Sequence, residues 1–188
     1  NPQGTVAQHL IGIDIRGATA TNNTIGGAGS LRNLISNNGF GVAISQGATG
    51  NTIIGNRIGT NLAGVTATAN TVGIAIDAAN GNTIGGATAA LGNLISGNTS
   101  AGVLLQNNAA TNIVAANLIG TNFDGTAGIP NAVGVSLIDS DNNQIGTDGS
   151  ENATNGNVIS GNTAVGVYLL TNSSTNLIAG NKIGTKSS

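Results

Sequence analysis

Cysteine, methionine and tryptophan are missing from the 188 residues, and the chain holds only two Phe, one Tyr and two Pro. Without cysteine there is neither a disulfide framework nor a thiolate metal site, so the sequence is indifferent to the redox state of its compartment. Three aromatic side chains cannot fill the thick core of an ordinary globular domain, which leaves a thin core built from aliphatic residues. Charge is equally scarce, with five Lys plus Arg against seven Asp plus Glu and a net charge of −2. That supplies no basic stripe for phosphates and hardly any stacking surface for bases, so nucleic acid is not an expected partner. No run approaches the ~18 consecutive apolar residues that span a bilayer, and membrane insertion is not expected. Residues Asn1-Pro2-Gln3-Gly4 lack the basic and apolar regions of a signal peptide. The chain reads as a mature product or a segment of something longer, soluble and already processed.

What is abundant is small: 31 Gly and 29 Asn. Ile, Val, Leu and Phe still make up a quarter of the sequence, which with the low net charge places it on the folded side of the disorder boundary. These residues recur in a pattern. Six copies open with Gly, apolar, any, apolar: GIDI from Gly12, GVAI from Gly41, GIAI from Gly73, GVLL from Gly102, GVSL from Gly134 and GVYL from Gly166. Each is followed by an Asn-x-Ile/Val element whose asparagines are Asn23, Asn51, Asn82, Asn112, Asn143 and Asn176. A third element, Asn-x-Ile, supplies Asn33, Asn56, Asn93, Asn117, Asn157 and Asn181. Five residues later stands a further Asn (38, 61, 98, 122 and 162), replaced in the last copy by Lys186.

Apolar residues alternate with a period of two, as in Val42 and Ile44 or Ile74 and Ile76, which is strand periodicity. Each copy therefore predicts three short strands. The same three elements return in the same order, so each pairs with its equivalent in the next copy, in parallel and in register, at about 4.8 Å. The expected fold is all-β: a solenoid of about six coils forming a single domain over residues 1–188. Asparagine at the corners, tolerant of left-handed backbone and able both to donate and to accept, is expected to form ladders between coils. The opening glycine is expected where the chain bends toward a crowded axis. Odd copies carry their extra residues between the second and third elements (27–32, 87–92 and 147–156). Even copies carry theirs after the third (62–72 and 123–133).

This pattern resembles the short repeat of the right-handed parallel β-helix proteins of the pectate-lyase-like superfamily, over about Gly12 to Thr185. The resemblance implies the right-handed coil and an extracellular, cell-surface or periplasmic setting. It leaves function open among polysaccharide lyases, hydrolases and epimerases, tailspikes and non-catalytic surface modules.

A lyase of that kind requires acids and a cationic base on one strand face. Here the basic residues are Arg16, Arg32, Arg57, Lys182 and Lys186, none between 58 and 181, and the one histidine, His9, lies at the margin. Asp14, Asp77 and Asp139 take the third, fifth and sixth positions of their copies, counted from the opening glycine as first, and do not converge as a hydrolytic pair requires. Asp139, Asp141, Asp148 and Glu151 superficially resemble a calcium loop, but Gln144 stands where such a loop needs Gly. Sequons at Asn22, Asn98, Asn152 and Asn172 are no more numerous than composition dictates. Tyr168 occupies an outward slot, and the threonine column of Thr24, Thr52 and Thr83 is broken by Ile113, Gln144 and Leu177. No catalytic, cofactor-binding or metal-binding residue is assigned. The expectation is a non-catalytic structural or adhesive module, extracellular or on the cell surface. Its open terminal coils are expected to stack end to end, and glycans are the other partner in view.

The assigned register has a direct test. Ile95→Asp places an unpaired charge in the aliphatic column and is expected to unfold the domain. An unchanged melting curve by circular dichroism would contradict it.

Overall fold

The computed structural model describes residues 8–148 and 155–185. Its strands form three parallel sheets of six. The first sheet holds β1 (His9–Arg16), β4 (Asn38–Ser45), β7 (Val72–Asp77), β10 (Ala101–Gln106), β13 (Val133–Ile138) and β16 (Val165–Leu170). The second holds β2 (Thr24–Gly26), β5 (Thr52–Ile54), β8 (Thr83–Gly85), β11 (Ile113–Ala115), β14 (Gln144–Gly146) and β17 (Leu177–Ala179). The third holds β3 (Leu34–Ile35), β6 (Arg57–Ile58), β9 (Leu94–Ile95), β12 (Leu118–Ile119), β15 (Val158–Ile159) and β18 (Lys182–Ile183). Every strand pairs with the strand three places on, so the chain is a parallel β-solenoid. Six strands per sheet are joined by five steps, so the expected six coils amount to about five turns, spanning roughly 24 Å.

Like residues stack on like. In the second sheet Ile25, Ile53, Ile84, Val114, Ile145 and Ile178 form one column, and in the third Ile35, Ile58, Ile95, Ile119, Ile159 and Ile183 form another. With Val42, Ile44, Ile74, Ile76, Val103, Leu105, Val135 and Leu137 from the first sheet, the inner members of these columns build one continuous core of buried branched aliphatics, while Ile178 and Ile183 in the last described coil are exposed. Aromatic rings are unnecessary because the interior is only as wide as side chains meeting from three short strands.

The opening glycines are fixed by close approach. A Cβ at Gly73 would lie 2.5 Å from the Gly102 carbonyl oxygen and 2.8 Å from Cγ2 of Ile95. At Gly134 the same two distances, to Gly166 and Ile159, are 2.5 and 2.7 Å. No side chain fits between an opening glycine and the coil stacked on it.

Three asparagine ladders run along the three corners. In the first, the backbone N–H and Nδ2 of Asn51 donate to Oδ1 of Asn82 at 3.0 and 3.1 Å, while Nδ2 also reaches back to the Ala20 carbonyl at 3.0 Å. The arrangement repeats from Asn23 to Asn176. A second ladder runs Asn33, Asn56, Asn93, Asn117, Asn157, Asn181. In the inner coils these asparagines are buried, Asn51, Asn112 and Asn157 completely, while those of the first and last coils are exposed or half-buried.

Two details differ from expectation. First, the third ladder runs Asn38, Asn70, Asn98, Asn131, Asn162, so Asn61 and Asn122 are not on it. In even coils the chain leaves the solenoid at those residues and rejoins it after the loop. Oδ1 of Asn61 instead accepts from the N–H groups of Val65 and Thr66, and that of Asn122 from Thr126 and Ala127, closing their own loops. Second, the ladder asparagines are not the left-handed residues. Along the first ladder positive φ falls on the residue just before each: Asn22, Gly50, Gly81, Thr111, Asn142 and Thr175. One residue turns the backbone and the next binds the corner.

This division sets unequal costs for two asparagines that look alike in sequence. Asn70→Ala leaves the buried Asn38 N–H and Oδ1 of Asn98 without partners and removes one bond each from Nδ2 of Asn38 and the Ile35 carbonyl, and is expected to cost about 3 kcal/mol or more. Asn61→Ala removes only exposed loop bonds and should cost about 1 kcal/mol. Chemical denaturation of the two variants checks this, and equal losses would contradict the reassigned ladder.

Candidate functional site

The two kinds of insertion leave the solenoid at the two ends of the third-sheet strands, so they wall the outer face of that sheet. Its outward column reads Leu34, Arg57, Leu94, Leu118, Val158, Lys182. On one side stand the odd-coil insertions, each described one containing a single 3₁₀ turn, Gly29–Leu31 and Ala89–Leu91. On the other stand the even-coil loops, pinned at their bases by antiparallel bridges between Thr60 and Ala67 and between Thr121 and Gly128. The loops also touch each other: the N–H of Phe123 donates to the Gly64 carbonyl at 3.0 Å.

Between these walls lie three depressions that share lining residues and so form one groove. The largest, about 510 Å³, is bounded by Leu118, Phe123, Asp124, Val158 and Lys182. The middle one, about 110 Å³, lies among Arg32, Arg57, Leu94, Leu118 and Phe123. The third, about 240 Å³, is bounded by Arg32, Arg57, Leu34 and Leu62. Three of the five basic residues thus line one groove, although they are far apart in sequence. Arg32 is held by its Nε, which donates to the Gly55 carbonyl at 2.8 Å. The Arg57 guanidinium lies 5.9 Å from the centre of the Phe123 ring, within cation–π range. Burial, and then the adjacent Arg32 cation, make the Arg57 proton easier to lose than that of an ordinary guanidinium. Asp124 on the rim is held more acidic than usual by the Thr126 hydroxyl and N–H, which donate to its Oδ1 at 2.5 and 3.1 Å.

The other residues singled out from sequence are dispersed. Asp14 pairs with Arg16 on the outside of the first sheet. Asp77 accepts from Gln106 at 2.8 Å and Asn107 at 2.9 Å. Asp139 sits in a left-handed turn after β13, with φ of 50°. Asp141 accepts from the N–H and hydroxyl of Ser174. Among the described residues no three His, Asp or Glu side chains gather; Glu151 and Lys186 lie outside them. His9 takes the place in β1 that Asn38 holds in the next coil. Tyr168 is outward and 40% exposed, in the column of Leu104 and Ser136. Thr24, Thr52 and Thr83 share a column of the second sheet that continues through Ile113, Gln144 and Leu177. Of the sequons, Asn98 is a buried ladder residue, closed to modification in the folded chain, while Asn22 and Asn172 are exposed and Asn152 lies outside the described residues.

Sequence spacing located the even-coil insertions at 62–72 and 123–133. It did not reveal that Arg32 and Arg57 come together, because the path of residues 27–32 decides that. The architecture agrees with the parallel β-helix resemblance, and comparison with protein-family models, with curated proteins and with solved structures finds no match that assigns the chain to a family.

Proposed function

We propose that this chain is a non-catalytic structural module, a rigid β-solenoid of an extracellular or cell-surface protein, whose terminal coils pair with further coils of the same kind. The observation that carries the reading is the outermost described coil. Ile178, Ile183 and Leu169 are 38, 47 and 39% exposed, whereas their counterparts Ile145, Ile159 and Leu137 one coil earlier are at most 1% exposed. Among the described residues no strand pairs with the outer edges of β16, β17 and β18, which leaves those edges available for strand addition. Polar groups match as well. In every internal step an Asn donates to Oδ1 of the next, and Oδ1 of Asn23 and of Asn33 accepts from no described residue. Coil parity also fits, since the sixth, even coil placed on the first, odd coil of another copy repeats the junction type found between coils two and three.

The groove on the third sheet supports a second reading, a glycan-binding or polysaccharide-active module, because its mixed polar and apolar lining and elongated shape suit a chain of sugar rings. One set of measurements separates the two. Sedimentation velocity over a range of concentrations is expected to show rods of increasing length, and Ile183→Lys, at the edge, is expected to abolish them with circular dichroism unchanged. A monodisperse monomer at high concentration, together with retention on a glycan array or new reducing or unsaturated ends from a polysaccharide, would favour the second reading and contradict the first.

A further inference from the structure

Two departures from the internal repeat fall at the same place. The residue before the second-ladder asparagine is Gly92 in the third coil and Gly156 in the fifth, but Arg32 in the first. The residue after that asparagine is Leu118 in the fourth coil but Arg57 in the second. The scaffold does not need these cations, since glycine and leucine serve the same positions one repeat unit further on. The two guanidinium groups line the same two depressions of the groove. Among the described residues no carboxylate forms an ion pair with either guanidinium. A like-charged pair without a counter-ion is a standing electrostatic cost.

Each member is held in place. Nε of Arg32 is tied to the Gly55 carbonyl at 2.8 Å. Arg57 is flanked by the Phe123 ring and by Gly64, at which a Cβ would come within 3.3 Å of Nε of Arg57. That Nε is shielded from solvent and has no hydrogen-bond partner, a donor left over in a structure that satisfies its other polar groups closely. Two guanidinium forks lining one small polar cavity match the geometry of an oxyanion.

We propose that Arg32 and Arg57 form an oxyanion-binding site at one end of the groove, receiving a sulfate or phosphate group either as the free ion or as an ester on a saccharide. The site stands independently of the structural role proposed above. A bound oxyanion would offset the repulsion between the two cations.

The test uses the whole chain at low ionic strength, titrated with sodium sulfate against sodium chloride of matched ionic strength. The arginine Nε–H resonances are followed by NMR. Sulfate, and not chloride, is expected to shift one Arg Nε–H resonance saturably. Arg57→Leu and Arg32→Gly restore residues the repeat already accommodates, so both should fold, and each is expected to weaken sulfate binding about tenfold or more. A sulfated monosaccharide forms a second arm. Tighter binding than inorganic sulfate points to the group carried on a sugar, and equal binding points to the free ion. No saturable response beyond that to chloride, or a response that survives both substitutions, overturns the proposal.

Discussion

The structure depends on the hydrogen bonding of a buried primary amide. At each internal corner an asparagine side chain accepts from the coil before it and donates to the coil after it, and Nδ2 also reaches back to a main-chain carbonyl of the preceding coil, Ala48 for Asn82 and Ile53 for Asn93. Corners are where a solenoid would otherwise bury unpaired backbone groups, at a cost of about 1–3 kcal/mol each. Once they are satisfied, strands as short as two residues suffice in the third sheet, and a core of aliphatics alone becomes adequate. Glycine at each opening follows from the same compactness, because the coils approach too closely there for any side chain.

Scaffold and variation are cleanly separated on this framework. Inward columns and ladders tolerate little change, whereas the insertions differ between odd and even coils and wall one outer face. The alternation brings loops from coils two and four into contact, Phe123 against Gly64, even though coil three lies between their strands. The groove is thus a product of repeat parity, and its chemistry varies along its length: arginine-rich over the first two coils, aliphatic over Leu94 and Leu118, and mixed at Asp124 and Lys182.

Most of the fold was legible in the sequence because a period-two core and in-register stacking write the same residue at the same place in each copy. Ile95 and Asn117 needed only to be counted. The third ladder was misread for an equally physical reason. Asn61 and Asn122 keep the spacing from the preceding asparagine, but the chain departs into a loop there, and the ladder is taken up by Asn70 and Asn131 on its return. Counting backward from the opening glycine, three or four residues, finds all of Asn38, Asn70, Asn98, Asn131 and Asn162. The approach of Arg32 to Arg57 left no such trace, since the period-two pattern that places a residue on a strand does not say how an insertion folds over the sheet.

The account turns on asparagine amides binding one coil to the next, and native-state hydrogen exchange reads this most directly. The backbone N–H groups of Asn82, Asn93, Asn112 and Asn117 donate to side-chain oxygens of the following coil. They are expected to exchange as slowly as the amides of the adjoining strands, opening only with the whole solenoid. Exchange as fast as that of the exposed loop amides of Val65 and Thr66 would contradict the ladders and the stacking built on them.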